Sequence, residues 1–275
     1  MRRGMGQALR IGVSASALGL LRTSRWRSPA VTPLAEQAVT EQDGPLQHAI
    51  GLALRELLAG QDVAGWPVTF VLADELTRLW QVTPPQQAAR LADIEAAAAL
   101  RFQHLYGEST AAWQLSAGWD ARAPFFAAAV PRALLAVLEQ GAAEHRLAVV
   151  EVLPHFVTSW NRWQRALKPG AWFGQLHDGL LSVGIVDDKR LHAVRALPVP
   201  HGADAYWLTQ TLNREALLAG CQAPALLQLC GQAPASWSGK AANAAHIACA
   251  MLAQARPDES TWSPASLLAS AGCAA

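Results

Sequence analysis

Residues 171–196 read AWFGQLHDGLLSVGIVDDKRLHAVRA and divide into three runs of strand length, 171–177, 180–186 and 190–196, the last two joined by the turn Asp187-Asp188-Lys189. A helix is predicted next, from about Ala205 to Leu218, with Gly220 as its stop. Pro224 precedes the short apolar run 225–230 (ALLQLC), which has strand length and ends at Gly231. Lys240 to Ala255 reads as a final helix broken by Pro257. The order is therefore meander, helix, strand, helix.

The same order recurs at the start of the chain. Residues 9–14 (LRIGVS) alternate, 18–22 (LGLLR) resumes after a small turn, and Trp26 to Thr32 offers a third extended piece. Asp43-Gly44-Pro45 signals a helix start, and Leu46, Ile50, Leu54, Leu57 and Leu58 keep a helical stripe over 44–59. Residues 68–72 (VTFVL) read as a buried strand, and 88–106 as a helix ending at Gly107. The halves share pattern without sequence identity, which still reports architecture. Between them, 111–116 and 124–130 look like paired strands, 132–145 a helix, 147–153 a buried strand, and 155–167 a helix after Pro154. Strands and helices alternate throughout, so the class is α/β with mixed sheets.

Composition narrows the function. With 275 residues and 52% apolar content, the chain can bury a large core. Its 22 Lys+Arg against 21 Asp+Glu provide no broad field for a nucleic acid or an anionic membrane. Cys221, Cys230, Cys249 and Cys273 match no zinc or redox spacing and read as small apolar groups in a reducing compartment. The early arginines superficially suggest a signal peptide, but Gly12, Ser14, Ser16 and Gly19 dilute the apolar stretch, so a cytoplasmic protein is expected. No HExxH, GxSxG or phosphate-loop motif occurs, and no metal site is expected.

Two stretches carry a resemblance. PFFAAAVPRALLAVLEQGAAEHRLAVVEVLPHFVTSWNRW, 124–163, and VTFVLADELTRLWQVTPP, 68–85, resemble the PilM-type actin-like proteins of type IV pilus assembly. The GspL-type cytoplasmic domain of type II secretion is a more distant relative by layout. The resemblance implies an actin-like (ribonuclease H-like) fold with duplicated subdomains and an inserted α/β lobe. On this reading 1–8 is a flexible start, 9–106 the first subdomain and 107–153 the lobe. A connecting helix, 154–169, returns to the first subdomain, 170–255 is the second, and 256–275 is a loose tail.

In nucleotide-hydrolysing members the first hairpin carries an Asp, followed by Gly and a small hydroxyl residue, because a carboxylate must hold a Mg²⁺-bound water near a phosphate cradle. Ser14 stands where that Asp is expected, in Gly12-Val13-Ser14-Ala15-Ser16. The second phosphate-loop Asp falls on Gln175, with His177 following, unless Asp178 restores it through a shift of register. The adenosine-contacting glycine pair is reduced to Gly231. The nucleotide site thus reads as degenerate: Gly12, Ser14, Ser16, Gln175, Asp178 and Gly231, with no cofactor expected and weak ATP binding through backbone amides left open. The implied function is a noncatalytic adaptor, cytoplasmic and peripheral to the inner membrane, that binds the cytosolic tail of a pilus or secretion membrane protein. An ATP-binding or ATP-hydrolysing enzyme of the same fold is the alternative. Eleven tryptophans suit either a Trp-rich core or a peptide groove. Trp113 and Trp119, in the lobe, are the candidate partner anchors. Asp74-Glu75, at a strand end, is a lesser ligand candidate.

Overall fold

The computed structural model describes residues 6–24, 30–40, 44–86, 88, 90–187, 190–237, 246–252 and 261–273. In the first part, β1 (Gln7–Val13), β2 (Ala17–Ser24) and β3 (Ala30–Ala38) form an antiparallel meander, followed by α1 (Leu46–Leu58) and β4 (Pro67–Leu72). Then come β5 (Arg78–Val82), α2 (Leu91–Tyr106), β6 (Trp113–Ala117), β7 (Phe125–Pro131), α3 (Arg132–Glu144), β8 (Ala148–Pro154) and α4 (His155–Trp163). The second part holds β9 (Ala171–His177), β10 (Leu180–Asp187), β11 (Arg190–Pro198), α5 (Ala205–Ala219), β12 (Leu226–Gly231), β13 (Ala248–Met251) and α6 (Pro264–Ser270).

Two five-stranded mixed sheets result, ordered β3-β2-β1-β4-β8 and β11-β10-β9-β12-β13, so the repeated pattern is a repeated topology. Their inner strands β1, β4, β9 and β12 pair parallel, while the meanders are antiparallel. The central strands are covered on both faces, which is why β9 and β10 read as near-continuous apolar runs. In the first core Ile11, Val13, Leu18 and Leu20 meet Ile50, Leu54 and Leu58 of α1, each burial contributing about 2 kcal/mol. Helix α3 lies against α1 where Gly51 and Gly141 leave room for Val137 and Leu54. A three-stranded sheet, β5-β7-β6, is packed by α2 through Trp80, Ile94, Ala98, Phe102, Trp113 and Phe125.

Several expectations are corrected. Ala248–Met251 is a strand, although its small residues suggest a helix, because the open edge of β12 supplies a parallel ladder that overrides propensity. Most of the expected helix at 240–255 lies outside the described residues, as do the turn residues Asp188 and Lys189, Trp26, Asp43 and Pro257. The supposed flexible start enters β1 by Gln7, residues 1–5 lying outside the described set. The lobe's sheet draws in β5 and α2 from before residue 107, while α3 and β8, placed in the lobe by sequence, belong to the first subdomain because β8 completes its sheet beside β4.

The two crossing helices differ most from expectation. Helix α4 touches β4 and β8 of the first sheet, but its aromatic residues reach across to the second: Phe156 and Trp160 pack on Phe173 of β9 at ring distances of 5.4 and 5.7 Å. Conversely, the expected loose tail contains α6, which packs on β1 and β2 of the first sheet with Leu268 and Ala269 fully buried. Each half thus lends a helix to the other. The loan depends on glycine: a Cβ at Gly12 would meet Ala265 O and Ala269 N at 2.7 Å, and one at Gly19 would meet Ala265 at 2.6 Å. Arg10 donates to the Ala269 carbonyl at 2.8 Å, and Ser266 to Glu36 at 2.6 Å. Because backbone cannot swing aside as a side chain does, Gly12→Ala is expected to destabilise the protein by about 2 kcal/mol. A urea-unfolding midpoint equal to wild type would show that α6 is held more loosely than these contacts imply.

Candidate functional site

Hairpin β1–β2 turns through Ser14-Ala15-Ser16. Ser14 is buried, its Oγ donating to the Ala17 carbonyl at 2.9 Å and accepting from the Ala17 and Ser16 amides at 3.0 and 3.3 Å. Its hydroxyl is consumed by its own turn. The Ala15 amide donates to Glu75 Oε1 at 3.1 Å, so an outside anion would have to displace a carboxylate. Ser16 Oγ donates to Asp178 Oδ2 at 2.6 Å, tying the tip of the first hairpin to that of the second. Asp178 and Gly179 turn between β9 and β10 with φ of +46° and +71°, the left-handed pair suited to a two-residue hairpin.

The candidate nucleotide residues are therefore only partly assembled. Gln175, Asp178 and Gly231 line one cleft of about 810 Å³, together with His155, Arg162 and Trp163 of α4 and with Pro264, Leu267 and Leu268 of α6. Gly12, Ser14 and Ser16 are not among its lining residues. Gly12 faces α6, which occupies the space a side chain would need. Gly231 has φ +96° and stands against the Leu176 carbonyl. In this cleft His155 Nδ1, Gln175 Nε2 and His177 Nε2 are buried without a hydrogen-bond partner among the described residues. The rings of His155 and His177 lie 5.5 Å apart, edge to face. Burial first, and the neighbouring His177 second, hold the His155 pKa well below the usual imidazole range, so His155 is neutral at pH 7. Burial likewise pushes the Cys230 thiol up to about 12, which keeps it protonated and unreactive.

Asp74, at the end of β4, joins the subdomains. Its carboxyl accepts from the Phe156 amide in the first turn of α4 at 2.9 Å and from Ser182 Oγ on β10 at 2.6 Å. Desolvation outweighs these hydrogen bonds and raises its pKa to about 6. Sequence reading marks Asp74 as a strand-end ligand candidate and not as a link between the subdomains. It missed α6 altogether, although Ser263-Pro264 is a readable start: Ser263 accepts from the Ser266 amide at 3.2 Å and proline takes the first helical position. His155 was signalled only by Pro154 before it.

The tryptophans side with the core. Trp113 is 7% exposed, rests on Phe102 and donates to Glu108 at 2.9 Å, which leaves it no surface for a partner and corrects its assignment as an anchor. Trp119 is half-buried against Phe125. Among the described residues no helix is long and apolar enough to cross a membrane.

No family model matches this chain, and no curated protein is similar to it in sequence. Solved structures are similar in fold. The cytoplasmic domain of EpsL, an inner-membrane component of the Vibrio cholerae type II secretion system, matches at 15% identity over 83% of each chain, with a TM-score of 0.56. A Bacteroides thetaiotaomicron protein of actin-like ATPase fold and unknown function matches at 9% identity over 84% of each chain, TM-score 0.59. A PilM-PilN type IV pilus biogenesis complex matches at 18% identity over 77% of this chain and 67% of the other, TM-score 0.53. The chain has the actin-like ATPase fold. At these identities the likeness concerns fold alone.

Proposed function

We propose that this chain is a noncatalytic adaptor of a pilus or type II secretion-like inner-membrane platform, a cytoplasmic protein that grips the cytosolic segment of a membrane protein. The observation that carries the reading is the state of the two hairpins. Ser14 is spent on its own turn, Gln175 offers a neutral amide, and the tips are tied by Ser16 and Asp178. A neutral amide does not replace a carboxylate toward Mg²⁺. Likeness in fold to a secretion cytoplasmic domain and to PilM in complex with PilN supports the setting.

Two measurements test this. With Mg-ATP the protein is expected to release no phosphate above buffer. Turnover that disappears in Asp178→Ala would instead install the alternative, an ATP-hydrolysing enzyme whose carboxylate sits at the second hairpin tip. In a pull-down, the cytosolic segments of membrane proteins encoded beside this chain are expected to be retained at micromolar concentration, and retention of none would remove the adaptor reading.

A further inference from the structure

A groove of about 1140 Å³ opens between the lobe and the second subdomain, walled by β5 and α2 on one side and by β11 and the end of α5 on the other. Helix α2 is apolar on two faces. Ile94, Ala98 and Phe102 enter the lobe's core, whereas Ala97, Leu100, Arg101 and Leu105 line the groove. Leu100 is 68% exposed, as is Leu218 of α5, which also lines it. A helix that needs only to cover its own sheet presents one apolar stripe, so a second stripe bearing leucines marks a contact surface. Both walls also include the outermost strand of a sheet, β5 in one and β11 in the other, each with a side that no strand pairs among the described residues.

Charge selects the occupant. The acidic groups at the groove are turned inward: Asp74 toward Phe156 and Ser182, Glu75 toward the Ala15 amide. Arg195 has Glu215 at 3.6 Å and Arg78 has Glu108 at 3.8 Å, whereas Arg101 is exposed and pairs with no carboxylate among the described residues. The groove-lining arginine left without a carboxylate among the described residues is thus Arg101, which sits between leucines on one helix face. A bilayer is too flat to reach down the walls of such a groove, while a chain segment fits within it.

We propose that this groove binds a short peptide segment of a partner protein, in which apolar side chains that meet Leu100, Leu105 and Leu218 are interspersed with an acidic residue that pairs with Arg101. This deepens the adaptor reading, on which it rests for the expectation of a protein partner. Helix-in-groove and edge-strand recognition both use such anchors at fixed spacing.

The full-length chain, immobilised, is panned with a phage-displayed library of random dodecapeptides, and enriched peptides are titrated by fluorescence anisotropy. The expected result is enrichment of peptides mixing leucine-like residues with Asp or Glu. Their affinity should fall at least tenfold in Leu100→Asp and in Arg101→Glu, both at exposed positions, with intact folding of each variant checked by circular dichroism. Changing the peptide's acid to lysine should recover binding to Arg101→Glu. Enrichment of nothing, or of peptides that bind both variants as well as wild type, overturns the proposal. Capture of phosphatidylglycerol vesicles that Leu100→Asp abolishes, with no peptide bound, makes the surface a membrane contact and also overturns it. So does a concentration-dependent dimer that Leu218→Asp dissolves. If library peptides bind here while every membrane-protein segment fails in the pull-down, the adaptor reading falls and the peptide groove stands.

Discussion

Gly231→Ala is expected to cost about 4 kcal/mol or more, placing it among the rare substitutions that a domain of ordinary stability does not survive. Residue 231 ends β12 opposite Leu176 of β9, with φ at +96°, and a Cβ there would lie 2.0 Å from the Leu176 carbonyl oxygen. The obstructing oxygen is backbone, and the Cβ is fixed to backbone in the neighbouring strand of the same ladder, so relief requires the strands to part. Gly220 provides the control: its φ is +67°, yet nothing lies within 4 Å of an added Cβ. Gly220→Ala should therefore lose only the left-handed preference, about 1 kcal/mol. Urea titrations of both variants, followed by tryptophan fluorescence, separate crowding from conformational preference. Equal losses would mean that the approach to Leu176 relaxes freely.

The second large effect concerns Asp74. Asp74→Ala removes the acceptor for the Phe156 amide and for Ser182 together, and a loss of about 3 kcal/mol is expected. Asp74→Asn keeps an acceptor and sheds the desolvated charge. The folded pKa of about 6 lies above the ordinary value of 3.8, so the native state holds this proton more tightly than the unfolded chain does. The associated stability is complete below pH 3.8 and is lost as pH rises to about 6. Between pH 4 and 7 the stability difference between Asp74→Asn and wild type should move in favour of asparagine by about 2 kcal/mol, allowing for the residue's partial exposure to the groove. Taking the difference cancels every other titrating group. A difference that stays flat across this range would show that the carboxyl remains well hydrated in the groove.

What could be read in the sequence follows from the range over which each signal acts. Strands β9, β10 and β12 and helices α1, α3 and α5 carry their own periodicity, and the repeated order placed them in two like sheets. Ala248–Met251 carries helix-forming residues, and only the neighbouring edge of β12 makes it a strand. The site suffers most, because its parts meet across long separations. The bond between Ser16 and Asp178 spans 162 positions, and Gly12, expected at a phosphate, lies instead under a helix that begins at residue 264. The family resemblance marks Ser14 and Gln175 as departures from a nucleotide site. It could not show that Ser14 serves its own turn or that Gln175 shares a cleft with His155.

The exchange of helices also sets the order in which this protein can be completed as it is made. Arg10 reaches the carbonyl of a residue 259 positions later, so the face of the first sheet that α6 covers stays wet until residue 270 has been made. At the usual pace of translation that delay is on the order of ten to fifty seconds. Helix α4 is stranded in the same way, with Phe156 waiting for Phe173 and for Cys230 beyond it. The first half therefore cannot complete its packing until the second has been made, and the face that α6 covers is left open throughout the synthesis of the second.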